Sequence, residues 1–157
     1  MNTFFKFSII FSFLLVIFSC QDDKEICAEK ATPRLVIDFF DTNTQTKKTL
    51  DSVYVSSSFL GSKPYPFGKV SRISIPLSGV TTTETLKLKL TKNATTSDNI
   101  TIHYTPVERF LSKGCGFGYT YQNVSATLVT PASNVQSISQ KLTTINDESQ
   151  AHLYIYY

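Results

Sequence analysis

The feature that most restricts this chain is an apolar residue at every second position, in run after run. Leu86, Leu88 and Leu90 alternate with Lys87 and Lys89, so one side of the segment meets a core and the other meets water. Ile100, Ile102 and Tyr104 alternate with Thr101, His103 and Thr105. Ile73, Ile75 and Leu77 share a face, as do Val53 and Val55, with Phe59 continuing their parity. Leu35, Ile37 and Phe39 alternate too, but Val36 and Phe40 make that strand apolar on both faces. Phe117, Tyr119 and Tyr121 form an aromatic stripe that Val124, Ala126 and Leu128 continue on the opposite parity. The change of parity predicts a bulge or turn near Gln122 and Asn123. Turn formers gather at 41–43, 61–66, 92–98, 131–134 and 146–148. After the first twenty residues no amphipathic stretch shows the helical period. Seven or eight short strands in about 125 residues predict an all-β fold over 27–157. We expect a single antiparallel β-sandwich, immunoglobulin-like, with a small closed barrel as the alternative. A barrel inside the outer membrane needs at least eight strands of about 9–11 residues, and these runs are shorter.

The first nineteen residues follow another logic. One cation, Lys6, precedes residues 7–18, which carry no charge. That stretch is too short for a bilayer about 30 Å thick, but it fits the n-region and h-region of a secretory signal. Ile17-Phe18-Ser19-Cys20 then places an aliphatic residue three positions before a cysteine and a small residue just before it. This resembles the lipobox of bacterial lipoproteins, in which the cysteine sulfur takes a diacylglycerol. Residues 1–19 are thus expected to be a lipoprotein signal peptide, Cys20 the lipidated residue and 20–26 a short acidic tether. Two or three acyl chains anchor stably, since each buried methylene contributes about 0.8 kcal/mol. Asp22, Asp23 and Glu25 resemble the acidic export signal of surface-exposed flavobacterial lipoproteins; a solvated tether is the other reading.

With Cys20 taken by lipid, Cys27 and Cys115 remain of three cysteines. An exported compartment permits a disulfide between them, with two free buried thiols as the alternative. The bridge would close a loop of about 89 residues, worth at most about 4.6 kcal/mol in the chain-entropy account. Six residues lie between Cys20 and Cys27. They reach about 21 Å when extended, so the folded body would sit close to the membrane.

Signals for chemistry are sparse. There is no Gly-x-Ser-x-Gly elbow and no phosphate loop, and no helix pattern follows the glycines around Cys115. Asp38 and Asp41 fall on opposite faces of one strand, against a shared acid/base role. His103 belongs on a polar strand face and His152 at an edge. Two histidines without paired spacing do not make a metal site. A net charge of +3 with dispersed lysines is not a nucleic-acid patch. We therefore expect no enzyme, no cofactor, no metal, no nucleic acid and no small-molecule substrate. Asp51-Ser52-Val53 resembles the O-glycosylation motif of exported flavobacterial proteins, which makes Ser52 a candidate. Tyr54, Tyr65, Phe67, Tyr119, Tyr121, Tyr154 and Tyr156 are candidates for a sugar-stacking or protein-binding face.

Cys27, residues 33–40 (PRLVIDFF), 51–55 (DSVYV), 73–77 (ISIPL), 100–104 (ITIHY), 115–117 (CGF), 144–148 (TINDE) and 151–152 (AH) carry a further likeness. Together they resemble a family of small flavobacterial lipoproteins of unknown function. The resemblance implies the lipid on Cys20 and the Cys27–Cys115 bridge, and no activity. Members of that family tend to be encoded beside a predicted outer-membrane β-barrel protein, which implies such a partner. The expectation is a lipoprotein anchored in the outer membrane, on its periplasmic face or at the cell surface, with Asp22, Asp23 and Glu25 favouring the surface. It would bind a protein partner or support envelope assembly; a glycan-binding module is the alternative.

Overall fold

Burial follows the alternation residue by residue. The computed structural model describes residues 32–157. It contains β1 (Leu35–Phe40), β2 (Val53–Ser57), β3 (Gly61–Phe67), β4 (Arg72–Ile75), β5 (Thr83–Lys89), β6 (Asp98–Ser112), β7 (Gly116–Val129), β8 (Ser137–Gln140) and β9 (Leu153–Tyr156). There is no helix among the described residues. One sheet runs β4-β1-β9-β8 and the other β3-β2-β5-β6-β7. Leu35, Ile37, Phe39, Ile73, Ile75, Leu153 and Ile155 of the first meet Val53, Val55, Leu86, Leu88, Ile100, Ile102 and Tyr121 of the second in one apolar cluster. The arrangement is sandwich-like, with free edges rather than barrel closure.

Four expectations change. The sheets are not wholly antiparallel, because β1 and β9 pair in parallel, with Ile37 opposite Leu153. No hairpin joins these two strands, so nothing forces them to run in opposite directions. The immunoglobulin plan puts the first, second, fourth and fifth strands in one sheet. Here the first, fourth, eighth and ninth share a sheet, which is a different partition. Nine strands form rather than seven or eight. Residues 61–66, read as a turn, are most of β3, whose Pro64 and Pro66 are accepted because β3 is an edge strand. The polar edge strand β8 gave no apolar alternation to read.

The bulge falls where the parity change placed it. His103 pairs with Ser125 and Thr105 with Gln122, so Asn123 and Val124 together oppose Tyr104. Asn123 takes a φ of 52°, which Asn tolerates better than most residues. Tyr121 and Val124 can then both point inward. Past the bulge, β6 and β7 run on as a two-stranded arm, since β5 stops pairing with β6 at His103.

Strand direction sorts the loops between two ends. The chain's entry at Thr32, the β2–β3 turn, the β4–β5 crossover and the β6–β7 arm lie at one, here called the entry end. Residues 41–50, 91–97 and 130–136 and the C-terminus lie at the other. Tyrosines fix the crossover. The Tyr121 hydroxyl donates to the Leu77 carbonyl at 2.7 Å, and the Tyr104 and Thr81 hydroxyls share a bond at 2.9 Å. The Tyr119 ring lies so close over Gly79 that a Cβ there would come within 2.5 Å of it. Burial, with the neighbouring Tyr104 and Tyr119, pushes the Tyr121 hydroxyl up to about 12.

At the far end Asp98 does comparable work. Its buried carboxylate accepts from the amides of Ser133, Asn134 and Val135, the last two at 3.0 Å. Asp98→Ala leaves three amides facing a gap, and buried donors stripped of a charged partner are costly. The unfolding free energy should fall by about 3 kcal/mol. The loss should register as a lower urea midpoint with unchanged slope, and an unmoved midpoint would show the loop to be held by something else.

Candidate functional site: an apolar end and a lateral cleft

The inner face of the arm outruns the opposing sheet. Tyr121, Tyr119 and Phe117 share one side of β7; the first is fully buried, the second half-buried and the third 61% exposed. Phe117 pairs directly with Phe110, itself 60% exposed, and their rings meet edge-on with centroids 5.4 Å apart. Two other turns at this end also expose apolar side chains. Phe59, 51% exposed, caps the β2–β3 turn, and Val80, 88% exposed, tips the β4–β5 crossover. Glu84, buried at the start of β5, accepts from the Ser58 hydroxyl at 2.9 Å and the Phe59 amide at 3.0 Å. The turn that presents Phe59 is therefore pinned.

The described chain begins at this end. The Tyr119 amide donates to Thr32 Oγ1 at 3.2 Å. Cys115 lies in the β6–β7 turn, half-buried, and its amide donates to Ser112 Oγ at 3.1 Å. Gly116 beside it takes a φ of +71°, a conformation that side chains rarely adopt.

A cleft of about 240 Å³ opens sideways between the edge strands β3 and β4. Tyr65 and Phe67 line it from the inner side of β3, with Leu60, Ile75 and Arg34 around them. Their rings stand edge-on at 5.2 Å, and Tyr65 is 58% exposed. The remaining tyrosines scatter. Tyr121 is in the core, Tyr119 packs on the crossover, Tyr154 and Tyr156 flank Phe40 outside the four-stranded sheet, and Tyr54 lies outside the other. The seven aromatics therefore do not form a single face, and their surface clusters are Tyr65 with Phe67 and Tyr154 and Tyr156 with Phe40.

The titratable groups support structure. Burial alone would raise the Asp38 pKa, but bonds and charge from Arg72 and Lys47 outweigh it and hold the carboxyl below its usual range. Arg72 binds it through two nitrogens, at 2.6 and 2.9 Å, and Lys47 Nζ lies 2.9 Å away. Asp41 sits apart in the turn after β1, where Lys48 and the amides of Thr44 and Asn43 hold its pKa near about 2. His103 faces water as expected and bonds to Thr83 Oγ1 at 3.1 Å. His152 departs from its expected edge position. It is buried, and its Nδ1 accepts from the Val36 amide at 2.9 Å. Among the described residues no group of three or more His, Cys, Asp or Glu is placed to hold a metal.

Of the residues singled out in the sequence, Cys20, Asp22, Asp23, Glu25 and Cys27 lie outside the described residues. Ser52 is half-buried just before β2. Phe110, Val80 and Phe59 were missed as surface groups. Phe59 continues an inward parity only on paper, because the chain turns at Ser58. The symmetric placing of Phe110 and Phe117 about the glycine turn was the available signal.

A model described as a family of unknown function, DUF6452, matches residues 47–157. The chain belongs to this family. No curated protein and no solved structure matches it. The DUF6452 match begins after β1, yet β1 is the strand that joins β4 to β9. The folded unit in this member is thus larger than the matched range.

The burial of His152 predicts an acid-sensitive joint in this DUF6452 member. Burial lowers its pKa from 6.5; Asp147 and Glu148 oppose the shift, and Arg72 adds to it. The fold prefers the neutral ring, so the stabilisation is complete above 6.5 and is lost as pH falls below it. The Asp38 contribution needs the carboxylate and is lost only below 3.8. Urea titrations at pH 7 and pH 5 should show lower stability at pH 5, and His152→Asn should flatten that difference. A slope unchanged in the variant would assign the effect to another group.

Proposed function

We propose that this DUF6452 member is a non-catalytic lipoprotein of the outer membrane that holds a protein partner, with Cys20 carrying the acyl chains. One observation supports the reading most: the seat of Thr32 on Tyr119, which starts the described chain on the arm that carries Cys115. Cys27 lies five positions before Thr32, a span of at most about 18 Å. Cys115 lies four strand residues from Tyr119, about 13 Å. A Cys27–Cys115 bridge is therefore within reach, and it fastens the tether to the arm. The acidic residues Asp22, Asp23 and Glu25 favour the cell surface. The partner is an outer-membrane β-barrel protein, docked at the cleft of Tyr65, Phe67 and Leu60. Aromatic side chains of that kind provide contact area at small entropic cost.

Intact-mass analysis of the native protein should find a diacylglyceryl group on Cys20, and Cys20→Ser should leave the membrane fraction. Non-reducing peptide mapping should join Cys27 to Cys115. Capture from crosslinked outer membranes should recover a specific β-barrel protein and lose it on Tyr65→Ala. An unmodified Cys20 removes the anchor, and a capture with no specific protein removes the partner role.

A further inference from the structure

We infer that the entry end of the sandwich lies on the lipid leaflet that holds the anchor, with Phe59, Val80, Phe110 and Phe117 set into the boundary between headgroups and acyl chains. The inference rests on the lipid-anchor reading of Cys20 and adds to it a second membrane contact that orients the domain.

Six large hydrophobic residues are exposed among the described residues, and these four share one end although three separate turns supply them. Of the other two, Tyr65 lines the cleft and Val129 closes β7 at the far end. Charge does not separate the two ends: the far end exposes Lys47, Lys48, Lys69 and Lys92, and the entry end exposes Arg34, Glu108, Lys113, Lys141 and Asp147. Phe110 and Phe117 meet ring to ring, with Phe59 and Val80 on other turns of the same end, and exposed apolar groups collected at one end mark an interaction site more than scattered ones do.

The chain before Thr32 says which surface that patch meets. Twelve positions separate Cys20 from Thr32, at most about 42 Å of extended chain, and the described chain starts beside Tyr119, two residues from Phe117. With the proposed Cys27–Cys115 bridge closed, only seven positions, at most about 25 Å, lie between Cys20 and the arm's tip, so the leash holds that end toward the leaflet. Lys113, exposed at the arm's tip, is a cation that an anionic leaflet accepts.

The test uses a property of the sequence: the chain has no Trp. Phe117→Trp in the full lipoprotein therefore gives a single indole at the tip. Val80→Trp places one on a different turn and serves where the first variant folds poorly. Each is reconstituted into vesicles of phosphatidylethanolamine and phosphatidylglycerol, and flotation reports the anchor separately from the tip. Support is a blue-shifted emission that shallow brominated acyl chains quench, absent from the Cys20→Ser form in buffer. Protein that floats while its indole stays red-shifted and open to aqueous acrylamide overturns the inference and leaves the anchor reading intact. An indole already blue-shifted in buffer and untouched by brominated lipid also overturns it, because residues 21–31 or another protein surface then cover the tip. Lipidation-competent protein that fails to float sinks the anchor reading and the inference with it.

Discussion

Strand β1 holds the four-stranded sheet together. It pairs antiparallel with β4 and parallel with β9, so without it the sheet falls into a lone strand and a two-stranded remnant. Five of its six residues are buried, which requires cover on both faces. Leu35, Ile37 and Phe39 fill the core between the sheets. Asp38, on the other face, is clamped by Arg72 of β4 and by Lys47, which fixes the β1–β4 register with charge. His152 reaches back from the start of β9 to the Val36 amide, and the Val36 carbonyl accepts from the His152 amide at 2.8 Å. A parallel neighbour has no hairpin to align it, and this reciprocal pair supplies the alignment. The loss of stability in acid predicted from His152 would thus fall at the seam where first and last strands meet.

Much of this was legible in sequence because burial on one face and water on the other leave a period of two. Leu86–Leu88–Leu90 and Ile100–Ile102–Tyr104 are read correctly for that reason, and the parity slip between Tyr121 and Val124 locates the bulge. What failed has an equally physical cause. An edge strand needs neither alternation nor every amide, so β3 with its prolines and β8 with its polar residues left no period to detect. His152 looked like an edge residue because its burial depends on a parallel pairing between segments more than a hundred positions apart, which no local window contains. The apolar end was invisible for the same reason. Phe59, Val80 and the Phe110–Phe117 pair lie in three separate segments, and only strand direction brings them to one side.

Both ends use one device, a buried carboxylate that accepts hydrogen bonds from a turn or loop. Asp98 gathers the amides of 133–135 and draws that loop against the body, where Val135 is buried. Glu84 gathers Ser58 and Phe59 but turns the phenylalanine outward. A buried carboxylate is expensive to keep unless its partners satisfy it, and a fold that only needed to close the β2–β3 turn has cheaper polar residues for the purpose. Held this way, Phe59 is ordered before it meets anything, and ordering done in advance lowers the entropic cost of contact. Phe110 and Phe117 are ordered too, by direct cross-strand pairing and by ring contact. Val80 stands on a crossover that Tyr104, Tyr119 and Tyr121 clamp from below. Each apolar tip thus has its own internal support. Loose loops would instead fold such residues back onto the nearest apolar surface, and the open cleft beside Leu60 offers one close at hand.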